Sequence, residues 1–549
     1  MTPGHLFVVN GRLDMLSADA VVIPTDEWFN VGDWWRGSAG LRPDESWHDL
    51  RPEGWARGAA LPARRTPVGE PAPAVWFLDV VGGSPSAVGE AADRAVQAIV
   101  ERSGEALGRA AKAAGRHLPL IAMPVIGTGI GGHGRLRGQV ITALVAKLRD
   151  AANCLGVDIV LVALERSDYA ALQHRRREAG SSVPSAMVET AAGLGERIRR
   201  GEVALFFGAG VSIAAGLPSW SELLAELVRD LGLNELEDKI DRLGPLEQAE
   251  LVQVTLARAR HADPAGSEAE LGRHVARIIT NGAARPSLTH ALLASLDVRE
   301  AVTTNYDRLY ERAVTAAHGT ETDTAIDVLP WSRTSSERPW LLKMHGDVEH
   351  PESIVLSRSS FVHYDSRWKP VGSLVQSLML TKHLLVIGAS MRDDNLIRFA
   401  YEVAGLREAI ETTDRGGSEI GTVVSLDVDD AFSRLWEGRF SVVVPRVSVD
   451  IDARDVLPLV ERSDREQGEA SERRQAARAL AVFLDTVTMH AVRESPFLLD
   501  HRYADGRSKE AARLVDDINK VADRARAFVS DDAWCQLVLA LDQFGAGNQ

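Results

Sequence analysis

A histidine that closes an apolar run can take up or release a proton near neutral pH, and His345 does so in "WLLKMHGD". Asn305 and Asp307 follow a second apolar run in "AVTTNYD", an amide and a carboxylate at a strand end where a ligand could bind. A third run, "VALFF", turns through Gly208, Ala209, Gly210, Val211 and Ser212 and then Gly216, Leu217 and Pro218. Glycines let a backbone turn sharply and come close to a pyrophosphate, and a following helix offers free N–H groups. A fourth run, "HLLVI", ends in Gly388, Ala389 and Ser390, with Asp393, Asp394 and Asn395 opening a helix; such small and polar residues suit ribose hydroxyls. Each stretch also has an ordinary reading. Gly-Ala-Gly makes a plain tight turn, and Ile213 stands where the third glycine of G-x-G-x-x-G would fall. Asn and Asp are favoured helix caps, and a histidine in a turn is usually solvated.

Positioning these residues is the work of the alternating pattern around them. From Val203 onward, apolar runs ("REAVTT", "WLLKMHG", "SIVLS", "HLLVIGA", "GTVVSLD", "RFSVVVP") alternate with helical stretches such as Ser221–Leu231, Leu246–Arg260 and Glu268–Thr280. This is the rhythm of a doubly wound parallel sheet, which binds ligands at the carboxyl ends of its strands. The first section also alternates, with "HLFVVN", "ADAVVIP", "AVWFLDVV", "LPLIAMPV" and "VDIVLVAL" as strands and helices over Ala87–Ala114 and Arg137–Cys154. After Ser448 the strand signal fades, and "ERRQAARALAVFLDTVTMHAV" and "SKEAARLVDDINKVADRARAFV" have helical periodicity. The expected organisation of this α/β multidomain chain is a first α/β/α domain over 1–175, a linker over 176–187, a Rossmann-like domain over 188–448 and a helical region over 449–549.

Composition narrows the field. At 549 residues the chain is too long for one core, and its net charge of −15 argues against a broad nucleic-acid surface. Its two cysteines, Cys154 and Cys535, exclude a disulfide framework and a four-cysteine zinc site. The first residues lack the layout of a signal peptide, and no apolar stretch approaches a membrane span. A soluble, cytoplasmic protein without membrane or nucleic-acid partners is expected.

Taken in order, G-A-G-V-S, T-x-N-x-D, H-G and G-x-S resemble the sirtuin family over Val188–Ser448. The resemblance implies that Gly208, Ala209, Gly210 and Ser212 hold the pyrophosphate of NAD, that Asn305 and Asp307 line the nicotinamide-ribose pocket, and that His345 is the catalytic base. It places Gly388, Ser390 and Asp394 on the adenosine side, with Ser212 and Pro218 near the ribose and nicotinamide. Protein-deacylating sirtuins also carry a four-cysteine zinc module, which this chain cannot supply. No metal is expected, and water replaces acyl-lysine as acceptor. "TTNYD" and "LLKMHGD" look like the sirtuin-type NADases of bacterial antiphage defence, of the Thoeris-effector kind. That likeness implies NAD as substrate, a regulated abortive-infection role, a homo-oligomer and a partner protein of a defence system. Two alternatives stay open: an ADP-ribosyltransferase or deacylase working with a reader domain, and a non-enzymatic nucleotide sensor.

In the first section, "IAMPVIGTGIGGHGRLRGQV" places Gly127, Thr128, Gly129, Ile130 and Gly131 between a strand and a helix, while Asp19 stands just ahead of a buried strand. Together these resemble a macro domain, which implies that Asp19 meets adenine and the glycine loop wraps the diphosphate of an ADP-ribose-type signal nucleotide. Pro24, Thr25 and Asp26 replace that family's usual asparagine-rich stretch, so binding is expected rather than hydrolysis. Trp28, Trp34 and Trp35 are equally suited to stacking on a base or to core packing.

Overall fold

The computed structural model describes residues 2–64, 73–80, 83–129, 133–180, 183–233, 236, 242–261, 264–282, 284–319, 325–410, 419–427, 429–446, 462–493, 495–506, 509–526, 528–542 and 544. The chain divides into two compact units, Met1–Arg199 with Val447–Gln549, and Arg200–Arg446.

The first unit is built on strands β1 (Leu6–Asn10), β2 (Ala20–Thr25), β3 (Ala60–Pro62), β4 (Ala74–Asp79), β5 (Leu120–Pro124) and β6 (Asp158–Ala163). Their order is β1-β6-β5-β2-β4-β3, parallel except for β3 on β4. One face, with Val8, Val22, Met123 and Leu161, packs on the helices Pro85–Ala113 and Arg137–Leu155. The alternate residues Phe7, Val9, Ile23 and Val160 are buried too, so these strands read as unbroken apolar runs.

The C-terminal helices belong to this unit. In the helix Arg462–Ala491, Asp485 is fully buried and binds His5 at 2.7 Å and the guanidinium of Arg176, while Arg478 grips Asp158 through two 2.8 Å bonds. Burial works against the Asp485 charge, yet Arg176 and His5 hold its carboxyl below the usual range. Phe497 and Tyr503 enter the same core, and the Tyr503 hydroxyl donates to Asp168 at 2.6 Å.

The sequence boundaries shift accordingly. Arg176 lies in the helix Arg166–Ala179 and not in a linker, and the helix Ser185–Arg199 packs on Arg462–Ala491, where a Cβ on Gly195 would lie 2.7 Å from His490 backbone. Residues 181–182 and 449–461 lie outside the described residues.

The second unit holds β7 (Val203–Phe207), β8 (Glu300–Thr303), β9 (Asp327–Leu329), β10 (Trp340–Lys343), β11 (His383–Ile387), β12 (Gly421–Val424) and β13 (Phe440–Val443). All pair in parallel in the order β13-β12-β11-β7-β8-β10-β9. The chain leaves β7 towards β8 on one side and reaches β11 on the other, which makes the carboxyl end of β7 a topological switch point.

Helices Trp220–Asp230, Pro245–Arg260 and Pro264–Thr280 form a cap with its own core of Leu224, Leu227, Val252, Leu256 and Val275. "SIVLS" is not a strand. Val355 donates instead to the carbonyl of His345, and Ser357 caps the helix Arg358–Val362. No helix among the described residues is long and apolar enough to cross a membrane.

Candidate functional site

A cavity of about 610 Å³ lies at the carboxyl ends of β7, β8, β10 and β11. It is lined by Gly208, Ala209, Gly210, Ser212, Pro218, Asn305, Asp307, His345, Gly388, Ser390 and Asp394, so all four strand-end stretches meet there. The cap contributes Trp220, Leu246, Glu247 and Ile279.

The glycines have a reason that the sequence did not disclose. A Cβ on Gly208 would lie 2.9 Å from Ala389 Cα, and one on Gly210 would lie 2.8 Å from the Gly388 carbonyl, to which Gly210 donates. Gly388 has φ +63°, and its own Cβ would lie 2.8 Å from Val211 nitrogen. These glycines let two strand ends interlock at the cavity.

Ser212 is a hub. Its hydroxyl donates to Asp307 at 2.8 Å and accepts from Asn305 Nδ2 at 2.9 Å. His290, fully buried, stands 3.4 Å away through Nε2, while its Nδ1 accepts from Ser287 N–H, so Nε2 carries the ring proton in the neutral form. Burial drives the His290 pKa down to about 4, against the pull of Asp307.

Asn305 also donates to the Gly208 carbonyl at 3.2 Å, which uses both amide hydrogens, but its buried Oδ1 has no hydrogen-bond partner among the described residues. His345 is 5% exposed, and its ring meets the edges of Phe361 and Tyr364. The buried Nε2 also lacks a hydrogen-bond partner among the described residues, although the Asp393 carboxylate stands 3.3 Å off. Burial lowers the His345 pKa and Asp393 only partly opposes it, leaving the imidazole neutral at pH 7.

The contacts around these residues, and the parts of Arg358, Glu247, Met391 and Lys343, were not foreseen. Asp393 caps the helix Asp394–Ile410 through Leu396 N–H while facing His345. Asp394 is bound by Arg358 at 2.7 Å, and Arg358 also binds Glu247 of the cap at 2.6 Å. Met391, buried beside Ser390, holds φ +53°, a strained conformation for a side-chain-bearing residue. Lys343 is fully buried beneath the site.

In the first unit Asp19 lies apart from the glycine loop's cavity. The Asp19 carboxylate is taken by Arg116, at 2.5 and 3.0 Å, and by Leu120 N–H at 2.8 Å. A cavity of about 560 Å³ lies beside Thr128 and Gly129, lined also by His133, Arg135, Arg137, His501 and Arg502, and Asp19 does not line it. Gly127 holds φ +77° at the loop's start, while Ile130 and Gly131 lie outside the described residues. Trp28 and Trp34 are 65% and 73% exposed, so the core reading fails for both.

A parallel sheet with a switch-point cavity, an interlocked glycine turn and, among the described residues, two unpartnered polar tips is a Rossmann-like domain with a candidate ligand site at its strand ends. Residues 299–421, within the second unit, match the family described as SIR2-like domain. The chain is 31% identical over 208 residues to the NAD(+) hydrolase ThsA of Bacillus cereus (strain MSX-D12), a match covering 36% of this chain and 40% of that protein. It is 28% identical over 212 residues to the NAD(+) hydrolase ThsA of Enterococcus faecium, covering 38% and 41%. The match to the ThsA of Acinetobacter baumannii (strain 532279) is 29% over 203 residues, covering 37% and 39%. The chain thus spans about two fifths of the length of the relatives it matches. Among the described residues, no group of three or more His, Cys, Asp and Glu side chains could hold a metal ion.

Proposed function

We propose that the second unit hydrolyses NAD to ADP-ribose and nicotinamide. The observation that carries this reading is the pair of buried polar atoms without a partner among the described residues, Asn305 Oδ1 and His345 Nε2, on residues that line one cavity. A buried polar atom without a partner costs about 1–3 kcal/mol, and a bound hydroxyl or water would satisfy each of them. The SIR2-like match and the NAD(+) hydrolase names of the relatives support the same substrate.

The dinucleotide's phosphates lie along the Gly208–Ser212 turn, with its adenosine side at Gly388 and Ser390. Asn305 orients the nicotinamide ribose and the attacking water. The water oxygen bonds to ribose C1′ as the bond to the nicotinamide nitrogen breaks, and the bonding pair neutralises the pyridinium. The water proton passes to His345 Nε2, and the nearby Asp393 carboxylate favours the imidazolium that forms. In 18O-labelled water the label enters ADP-ribose. ADP-ribose found attached to protein, without labelled free product, would mean transfer instead.

The first unit is proposed to bind an ADP-ribose-type nucleotide beside Thr128 and Gly129, supported by the cavity that Arg135, Arg137 and Arg502 surround. Asp19 has no part in that reading. A homo-oligomeric, regulated effector of antiphage defence is the role that the motif resemblance supports.

A further inference from the structure

We propose that Lys343 is the positioning residue that fixes the Asn305 turn against the His345 turn, an inference that rests on the NAD-hydrolase reading of the cavity. β8 and β10 run parallel with Thr303 opposite Lys343, so the two strands deliver Asn305 and His345 at equal steps beyond one rung of the ladder. The rung is then locked from beneath. The Lys343 side chain has no solvent exposure, and its ammonium lies 2.5 Å from the Asp307 carbonyl and 3.3 Å from the Tyr306 carbonyl, both in the Asn305 turn. The same ammonium pairs with Asp347 at 2.7 Å, in the His345 turn, and with Glu311 at 2.9 Å, on the helix that follows Asn305.

Both carboxylates are buried as well. Burial works against the lysine charge, but Glu311, Asp347 and Asp307 outweigh it and hold the ammonium protonated. A compact ammonium with three divergent protons suits two carbonyls and two carboxylates arriving from different elements; a planar guanidinium would not.

The placement bears on catalysis because of how the two reactive tips are held. Asn305 Oδ1 and His345 Nε2 have no hydrogen-bond partner of their own among the described residues. The Asn305 amide is anchored to Ser212 and Gly208 and the His345 ring packs on Phe361 and Tyr364, so the offset between the two anchored side chains depends on how the two turns behind them are joined. Lys343 joins those backbones, helped by one direct bond from Val348 N–H to the Tyr306 carbonyl. A displacement of about 1 Å between a base and its target can lower a rate about 100-fold without removing any catalytic group.

The test compares the full-length wild type with Lys343→Met and with the triple variant Lys343→Met, Glu311→Gln, Asp347→Asn, in which the two carboxylates that pair directly with the ammonium are neutralised along with it. NAD binding stoichiometry and affinity are measured by calorimetry under conditions too brief for turnover, and nicotinamide release is measured per bound NAD. The triple variant is expected to bind one NAD per chain with affinity within about threefold of wild type, while release per bound NAD falls about 100-fold. Unchanged release in the triple variant would overturn the positioning role. Loss of stoichiometric binding would overturn it too, by making Lys343 a requirement for the folded cavity. A wild type that binds NAD without releasing nicotinamide would instead overturn the functional reading.

Discussion

One oxygen on Asn305 and one ring nitrogen on His345, both without a partner among the described residues, set the expectations at residue scale. Asn305→Ala and His345→Ala should each lower nicotinamide release by about 100-fold or more, with NAD affinity little changed. His345 must be neutral to accept a proton, and burial lowers its pKa. The pH profile of kcat/KM should therefore keep its plateau down through pH 6.5 and fall only below it; an acid limb centred above 6.5 would contradict the assignment. His290 gives a stability prediction with a definite sign. It stays neutral in the fold down to about pH 4, whereas an unfolded histidine protonates near pH 6.5. Its stabilising contribution is complete above pH 6.5 and is lost as the pH falls towards 4, about 2 kcal/mol between pH 7 and 5. Denaturant unfolding of His290→Gln should show a correspondingly shallower loss over that range. The sequence made Asn305 and His345 visible because each closes an apolar run. It hid His290 and Lys343, which sit inside apolar stretches and gain meaning only from atoms brought near them by the fold.

At the scale of elements, the strands were the most legible part. Buried parallel strands are short, nearly continuous apolar runs, and the runs read from Val203, Glu300, Trp340, His383, Gly421 and Phe440 all appear in the sheet. Three segments differed, for two reasons. "SIVLS" has the composition of a strand but is held by the His345 carbonyl, while the three-residue β9 and β3 are too short to show a period. The glycine turn was legible as a turn, but not as two loops interlocked at Gly388. Gly210→Ala should therefore lose stability by about 1–3 kcal/mol even without ligand, since its new Cβ meets backbone and not a flexible side chain. Thermal unfolding of the ligand-free protein checks this. An unchanged melting temperature, with only NAD affinity reduced, would restore the phosphate-approach explanation.

At the scale of the whole molecule, the sequence separated what the fold joins. Periodicity marks the C-terminal segments as helical, but it cannot say which domain they cover. The pairing of Asp485 with His5 and Arg176, and of Arg478 with Asp158, spans more than three hundred positions and leaves no local signal. Removing one partner strands a buried charge, so Asp485→Ala should lower the stability of the first unit by about 3–5 kcal/mol. A calorimetric trace in which no transition moves would contradict that account.

The central claim is tested most directly by incubating the purified full-length chain with NAD, alone and with cyclic ADP-ribose variants, and quantifying products by liquid chromatography and mass spectrometry. Nicotinamide and free ADP-ribose should form in equal amounts, and both should fall by about 100-fold or more with Asn305→Ala or His345→Ala. NAD left intact under every one of these conditions, or consumed undiminished by the two variants, would contradict it.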